Sequence, residues 1–146
     1  MTAFLDQIAA MVAHVDTQWA AAGAPLPLIR PNDDAEDLDL SNGFVFIRPN
    51  ISGTDFVSIN GNNPRVRTFG VLEINIHTLT NTGIGQGLTY AAQFAGFIRG
   101  QFISSEIEMF APTVDSGQEV SYNKQGRYWL TPVTCGFRFD ENYAIG

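Results

Sequence analysis

Two histidines, two nearby glutamates, a lone cysteine and a glycine-rich run are the features of this 146-residue chain whose types and spacing could do chemistry. His14 and His77 are the groups that could exchange protons near neutral pH. His14 falls in a stretch patterned as a helix, far from any serine or cysteine in a nucleophile context. His77 is the better acid–base candidate. Glu73 shares its strand face but stands four residues away, about 13 Å along an extended chain and out of reach for a dyad. The plainer reading makes His77 an exposed polar strand residue. Glu106 and Glu108 lie about 7 Å apart on one strand face, a spacing that two-carboxylate glycoside chemistry permits and that many strands show by chance.

The run Gly83-Ile84-Gly85-Gln86-Gly87-Leu88 sits between a strand and a helix, where a dinucleotide fingerprint belongs, but Leu88 stands at the position of its third glycine. No phosphate-loop lysine follows it. These glycines are read as freedom at a helix start. Cys135 cannot form an internal disulfide or share a zinc site, and reads as a small buried side chain on a strand. Asp33, Asp34, Glu36, Asp37 and Asp39 crowd one loop, without the alternating ligands, central glycine and distal glutamate of a calcium loop. A solvated loop is the simpler account. No catalytic residue, metal ligand or cofactor is assigned.

The elements that must position these residues can be read from periodicity. From Thr2 to Ala22, Phe4, Leu5, Ile8, Met11, Val12, Val15 and Trp19 share about a third of a helical wheel. Thr2 can cap the start, and Gly23 with Pro25 supplies the stop. The proline-rich PLPLIRP of 25–31 forbids a central strand but allows an extended edge segment. Strand signals follow at 44–48 and 55–59, then a turn at Asn60-Gly61. From Arg65 to Thr80, Val66, Leu72, Ile74 and Ile76 alternate with Arg65, Arg67, Glu73, Asn75 and His77, which predicts a sheet with one apolar and one polar face.

A second helix is predicted from Thr82 to Ser104. Ile84, Leu88, Ala91, Ala95, Ile98 and Phe102 form its core stripe, while Tyr90, Phe94 and Phe97 project from another side. A helix apolar over most of its girth needs cover on two sides, so these three aromatics are the expected subunit or partner interface. Strands then follow at 106–110, 119–122 and 127–139, with a turn at 123–126. Pro132 within the last strand predicts an edge or a bulge.

A chain of this length fits a single domain, 1–146, with an α+β fold in which two helices pack on one face of a mostly antiparallel sheet. No apolar run reaches the roughly 20 residues a bilayer needs, and the N-terminus lacks the basic start of a signal peptide. A reducing cytoplasm is the expected place of synthesis. The net charge of -7 opposes a grip on nucleic acid. Seven of the eight basic residues are arginine, a skew that protein interfaces show and that codon bias in a GC-rich genome also gives.

In layout, the leading helix, PLPLIRP, the strand pair around GFVFIRPNIS and RVRTFGVLEINIHTL, the GIGQGLTYAAQFAGFIRGQF helix and the final GFRFDENY resemble the tail terminator proteins of long-tailed bacteriophages, of which the lambda U protein is a familiar member. The resemblance covers nearly the whole chain but rests on no diagnostic motif. It implies a virion protein, not an enzyme, at the tail–head junction. Such a protein forms a hexameric ring of identical copies that caps the tail tube, stops its polymerisation and meets the head connector. Its partners would be other copies of itself, the tube protein and connector proteins. DNA would slide through without specific binding, and no membrane is involved. Neighbouring expectations are another neck or tail component, or a small-ligand-binding α+β domain.

Overall fold

The computed structural model describes residues 2–31, 38–58, 64–104, 106–122 and 126–142. It is an α+β fold with two α-helices and a curled, mostly antiparallel sheet. The predicted turn at Asn60-Gly61, residues 123–125 of the next turn, and the acidic residues of the 33–39 loop other than Asp39 lie outside the described residues.

Helix α1 spans Thr2–Ala21. Met11, Val15 and Trp19, spaced by four, are buried, as the 3.6-residue period requires of a helix with one inward stripe. The helix ends in a left-handed residue, Gly23 (φ 96°), with Gly23 N–H donating to the Ala20 carbonyl and Ala24 N–H to that of Trp19. That pair of bonds satisfies carbonyls which the helix itself leaves open. The proline-rich segment forms the short strand β1 (Leu28–Ile29), parallel to β2 at the sheet edge.

Three long strands carry the sheet: β2 (Phe44–Ser58), β3 (Arg65–Leu79) and β7 (Gly126–Asn142). The predicted segments at 44–48 and 55–59 thus belong, as far as Ser58, to one strand, bulged between Ile51 and Gly53 and between Phe56 and Ser58. A 3₁₀ turn at Thr80–Thr82 leads into α2 (Gly83–Ile98), and β4 (Phe102–Ile103), β5 (Ile107–Val114) and β6 (Gln118–Tyr122) follow. The order across the sheet is β1-β2-β3-β7-β5-β4, with β6 also on β7. Every pair except β1–β2 is antiparallel.

Two expectations need correction. Helix α2 stops at Ile98, six residues short of the predicted end, because Gly100 turns left-handed (φ 62°) and Phe102 enters β4. Phe102 therefore leaves the helical core stripe. Pro132 does not mark an edge, for β7 is central, paired with β3 from Tyr128 to Asn142. Its other side is shared: β5 pairs residues 133–138 and β6 residues 126–130. Pro132 sits in the gap, its carbonyl accepting from Asp115 N–H at 3.2 Å. The donor that proline lacks therefore faces a break in the ladder, where none is needed.

The even-numbered residues of β3 from Val66 to Thr78 are buried on the face that carries the helices, against Val133, Cys135, Phe137 and Phe139 of β7. Gly87 lets α2 come close, since a Cβ there would strike the Thr131 hydroxyl. That contact gives one of the run's glycines a packing role beyond freedom at a helix start.

Candidate functional site

The three aromatics expected at an interface do not form a free surface. Phe94 is fully buried (0% exposed) and stacks on Trp19, ring centroids 4.5 Å apart. Tyr90 meets the same indole edge-on at 5.7 Å, and Phe97 lies edge-on to Phe94 at 5.6 Å. Tyr90 and Phe97 are half-buried. His14 of α1 donates from Nε2 to the Phe97 carbonyl at 2.9 Å, tying the helices together. The second cover that α2 needs is therefore α1, which the periodicity of α2 alone could not name.

Exposed apolar side chains gather at the far end of the sheet. Every residue from Ile51 to Val57 is exposed, although a strand buried on one face would alternate. Ile51 and Val57 are open, and Phe56 is 61% exposed. Strand β1 pairs only with Val45 and Phe46, so among the described residues the outer edge of β2 beyond Phe46 has no partner strand. An open edge of this length is a template for another strand, although Arg48, Pro49 and Asp55 blunt parts of it. The alternation of FVFIRPNIS signals the start of the strand, and the bulges at Ile51/Gly53 and Phe56/Ser58 interrupt the pairing beyond it.

On the face away from the helices, direct cross-strand neighbours form a row Phe102, Glu108, Arg138 and Phe69 across β4, β5, β7 and β3. Arg138 donates to Glu108 at 2.5 Å and stands 5.7 Å from the centre of the Phe110 ring. Phe102 is 64% exposed, and Phe69 and Phe110 are also open. Beside this row Arg67 grips Asp140 with two bonds of 2.8 and 3.0 Å, and Arg65 reaches the same carboxylate at 2.9 Å. The Arg67 bonds hold the Asp140 carboxyl below its usual pKa. Exposed aromatics around a partly covered arginine have the make-up of an interface core. Glu106, meanwhile, accepts from the Gln7 amide and is exposed, while Glu108 serves Arg138. The proposed carboxylate pair is thus split between two structural partners.

His77 lies on that same outer face but not in solvent. It is 3% exposed, stacked on Phe44 with centroids 4.1 Å apart, and Nε2 is 2.8 Å from the Tyr122 hydroxyl. The expected exposed strand residue is therefore a buried one. A second small apolar cluster of Ile29, Phe44 and Tyr128 covers it, with Leu40 folded over and receiving a bond from the Tyr128 hydroxyl. Burial pushes the imidazole pKa down to about 4, against a smaller opposing effect of the Asn75 and Phe44 backbone. His77 is therefore neutral at physiological pH. Nδ1 has no partner in hydrogen-bond geometry. Glu73 has no part in this environment.

Cys135 is buried, its thiol pushed up to about 11 by burial, which makes it a poor nucleophile. Asp39, the described member of the acidic loop, accepts from the Ser41 backbone and hydroxyl in a local turn. Among the described residues no group of three or more His, Cys, Asp or Glu is placed to hold a metal, and no helix is long and apolar enough to cross a membrane.

Neither the protein-family models nor the curated proteins include a match to this chain. Among the solved structures that match, a protein whose name states no function is similar over 89% of this chain and 93% of its own, with a TM-score of 0.59 and 14% identity. At that identity the likeness shows a shared fold and nothing about activity.

Proposed function

We propose that this chain is a structural assembly protein which closes into a ring of its own copies, in the manner of the phage tail terminators that its layout resembles. In that role it caps the tail tube, ends tube polymerisation and presents a surface to the head connector. The observation that carries this reading is the far half of β2, which among the described residues is open along its outer edge and exposed on both faces with Ile51, Phe56 and Val57 uncovered. A surface of this kind is a liability for a solitary chain and an asset for one that meets its neighbours there. The Phe69, Phe102, Phe110 and Arg138 patch adjoins it, since Phe69 pairs with Gly53 of β2, and extends the exposed surface across the outer face. A ring of identical copies is built on head-to-tail contacts, in which this surface of one subunit meets a different surface of the next.

The acidity of the chain suits a channel through which DNA moves without sticking, since a net charge of -7 repels phosphate. A position elsewhere in the neck or tail uses the same surfaces and is the neighbouring reading. The deciding experiment adds the purified protein to tube protein polymerising in vitro and follows tube length by electron microscopy. The terminator reading expects tubes that stop growing and carry a ring at one end. Unchanged growth with bare ends would reject it.

A further inference from the structure

The apolar group around His77 leaves a cavity of about 320 Å³ on the sheet face opposite the helices. Ile29, Leu40, Phe46 and Leu130 give it apolar walls, and Asn75, His77 and Tyr122 are its polar members. We infer that this cavity is a binding site for a small neutral molecule that joins an apolar body to an amide-type group. The inference is independent of ring assembly.

Three observations carry it. First, the size is at the lower end of ligand pockets, about 300–1,000 Å³, and well above a void for one water. Second, the polar groups are placed but under-used. The Asn75 side-chain amide has no hydrogen bond among the described residues, the buried His77 Nδ1 has none in good geometry, and the Tyr122 hydroxyl has only His77 Nε2. An amide such as that of Asn75 offers a donor and an acceptor side by side, which another amide matches reciprocally. Third, none of the lining side chains carries a charge at neutral pH. A charged ligand would lose its hydration with no counter-charge to replace it, so the site selects a neutral one.

The stacked Phe44 and His77 rings, with Tyr122 tilted beside His77 at a centroid distance of 5.5 Å, fix the polar groups in place. A ligand therefore meets a site that is already formed, which lowers the cost of binding.

The test uses benzamide, benzoate and toluene as probes on the full-length protein, followed by side-chain and backbone NMR shifts. The expected result is saturable movement of the His77 ring nitrogens and the Asn75 amide with benzamide, and none with benzoate. Asn75→Leu should weaken benzamide by about tenfold, the loss of one good hydrogen-bonding partner. Tyr122→Phe, at a partly exposed position that tolerates loss of a hydroxyl, provides a second variant and should also weaken it. If benzamide moves neither residue, or if toluene binds as well and Asn75→Leu changes nothing, the cavity is an apolar void and the inference is wrong.

Discussion

The indole of Trp19 and the ring of Phe94 lie stacked, centroids 4.5 Å apart and planes 30° from parallel, joining a helix from the start of the chain to one from its middle. The Trp19 N–H is also satisfied, donating to the Leu26 carbonyl at 2.9 Å. This contact seals the second side of α2 inside the subunit and leaves Phe94 no surface to offer a partner. Phe94→Ala should destabilise the fold by about 3–5 kcal/mol, the range for removing a buried aromatic. Phe94→Asp should abolish folding without yielding a well-folded, differently assembled protein. Urea denaturation with tryptophan fluorescence reads both.

His77 gives stability a pH dependence of definite sign. Its folded pKa is about 4, below the unfolded value near 6.5. Between these values the unfolded chain takes up a proton that the folded one refuses. Stability therefore falls as pH drops from about 6.5 to about 4, by at most ~1.4 kcal/mol per pH unit, and the effect levels off below the folded pKa. The side chains facing His77 are Phe44, Tyr122 and Tyr128, with no carboxylate among them to reverse that sign. Asp140, with its pKa lowered by Arg67, acts in a separate window, losing its contribution only as pH falls below about 4, the unfolded aspartate value. His77→Leu should flatten the stability profile between pH 6.5 and 4 while leaving the more acidic slope in place.

Gly87 sets the distance between α2 and the sheet. A Cβ there meets the Thr131 hydroxyl and, 3.3 Å away, its Cβ. Gly87→Ala gains helix propensity, about 1 kcal/mol, but forces the helix outward at a cost of about 1–3 kcal/mol. The net expectation is a lower thermal midpoint. The double variant with Thr131→Ala should recover part of the loss, which a thermal melt can show.

Much of the frame was legible because it follows from period alone. The four-residue spacing of Met11, Val15 and Trp19, the alternation through Leu72, Ile74 and Ile76, and the proline-rich edge segment each announce their element. What could not be read depends on contacts between elements. Phe94 looks like a second helix face until Trp19 is brought against it. His77 looks polar and exposed until Phe44 and Tyr128 close over it. Pro132 looks like an edge residue, and only the split of its neighbours into β5 and β6 shows how a central strand holds it. Gly100 ends α2, yet the apolar Phe102 beyond it continues the helical stripe and hides the stop.

Asp140 anchors the arginines of the outer face. Asp140→Asn should leave Arg65 and Arg67 without their counter-charge and cost more stability than Arg65→Ala, whose side chain is 55% exposed. Exposed pairs of this kind are worth about 0–1 kcal/mol, so the Arg65→Ala change should be small. A double-mutant cycle on Arg67 and Asp140 should show the larger coupling, given its two-bond geometry.

The central claim is self-assembly through the exposed end of the sheet. Light scattering across a concentration series, on the wild-type chain and on Phe56→Asp, measures it most directly. The account predicts a wild-type mass near six times the 16.0 kDa subunit at high concentration, in line with the ring of the resembled family. Phe56→Asp should stay monomeric with nearly unchanged circular dichroism and thermal midpoint, because Phe56 is 61% exposed and most of it stands clear of the subunit. A wild-type chain that remains a monomer at every concentration, or an oligomer that Phe56→Asp leaves intact, would contradict the account.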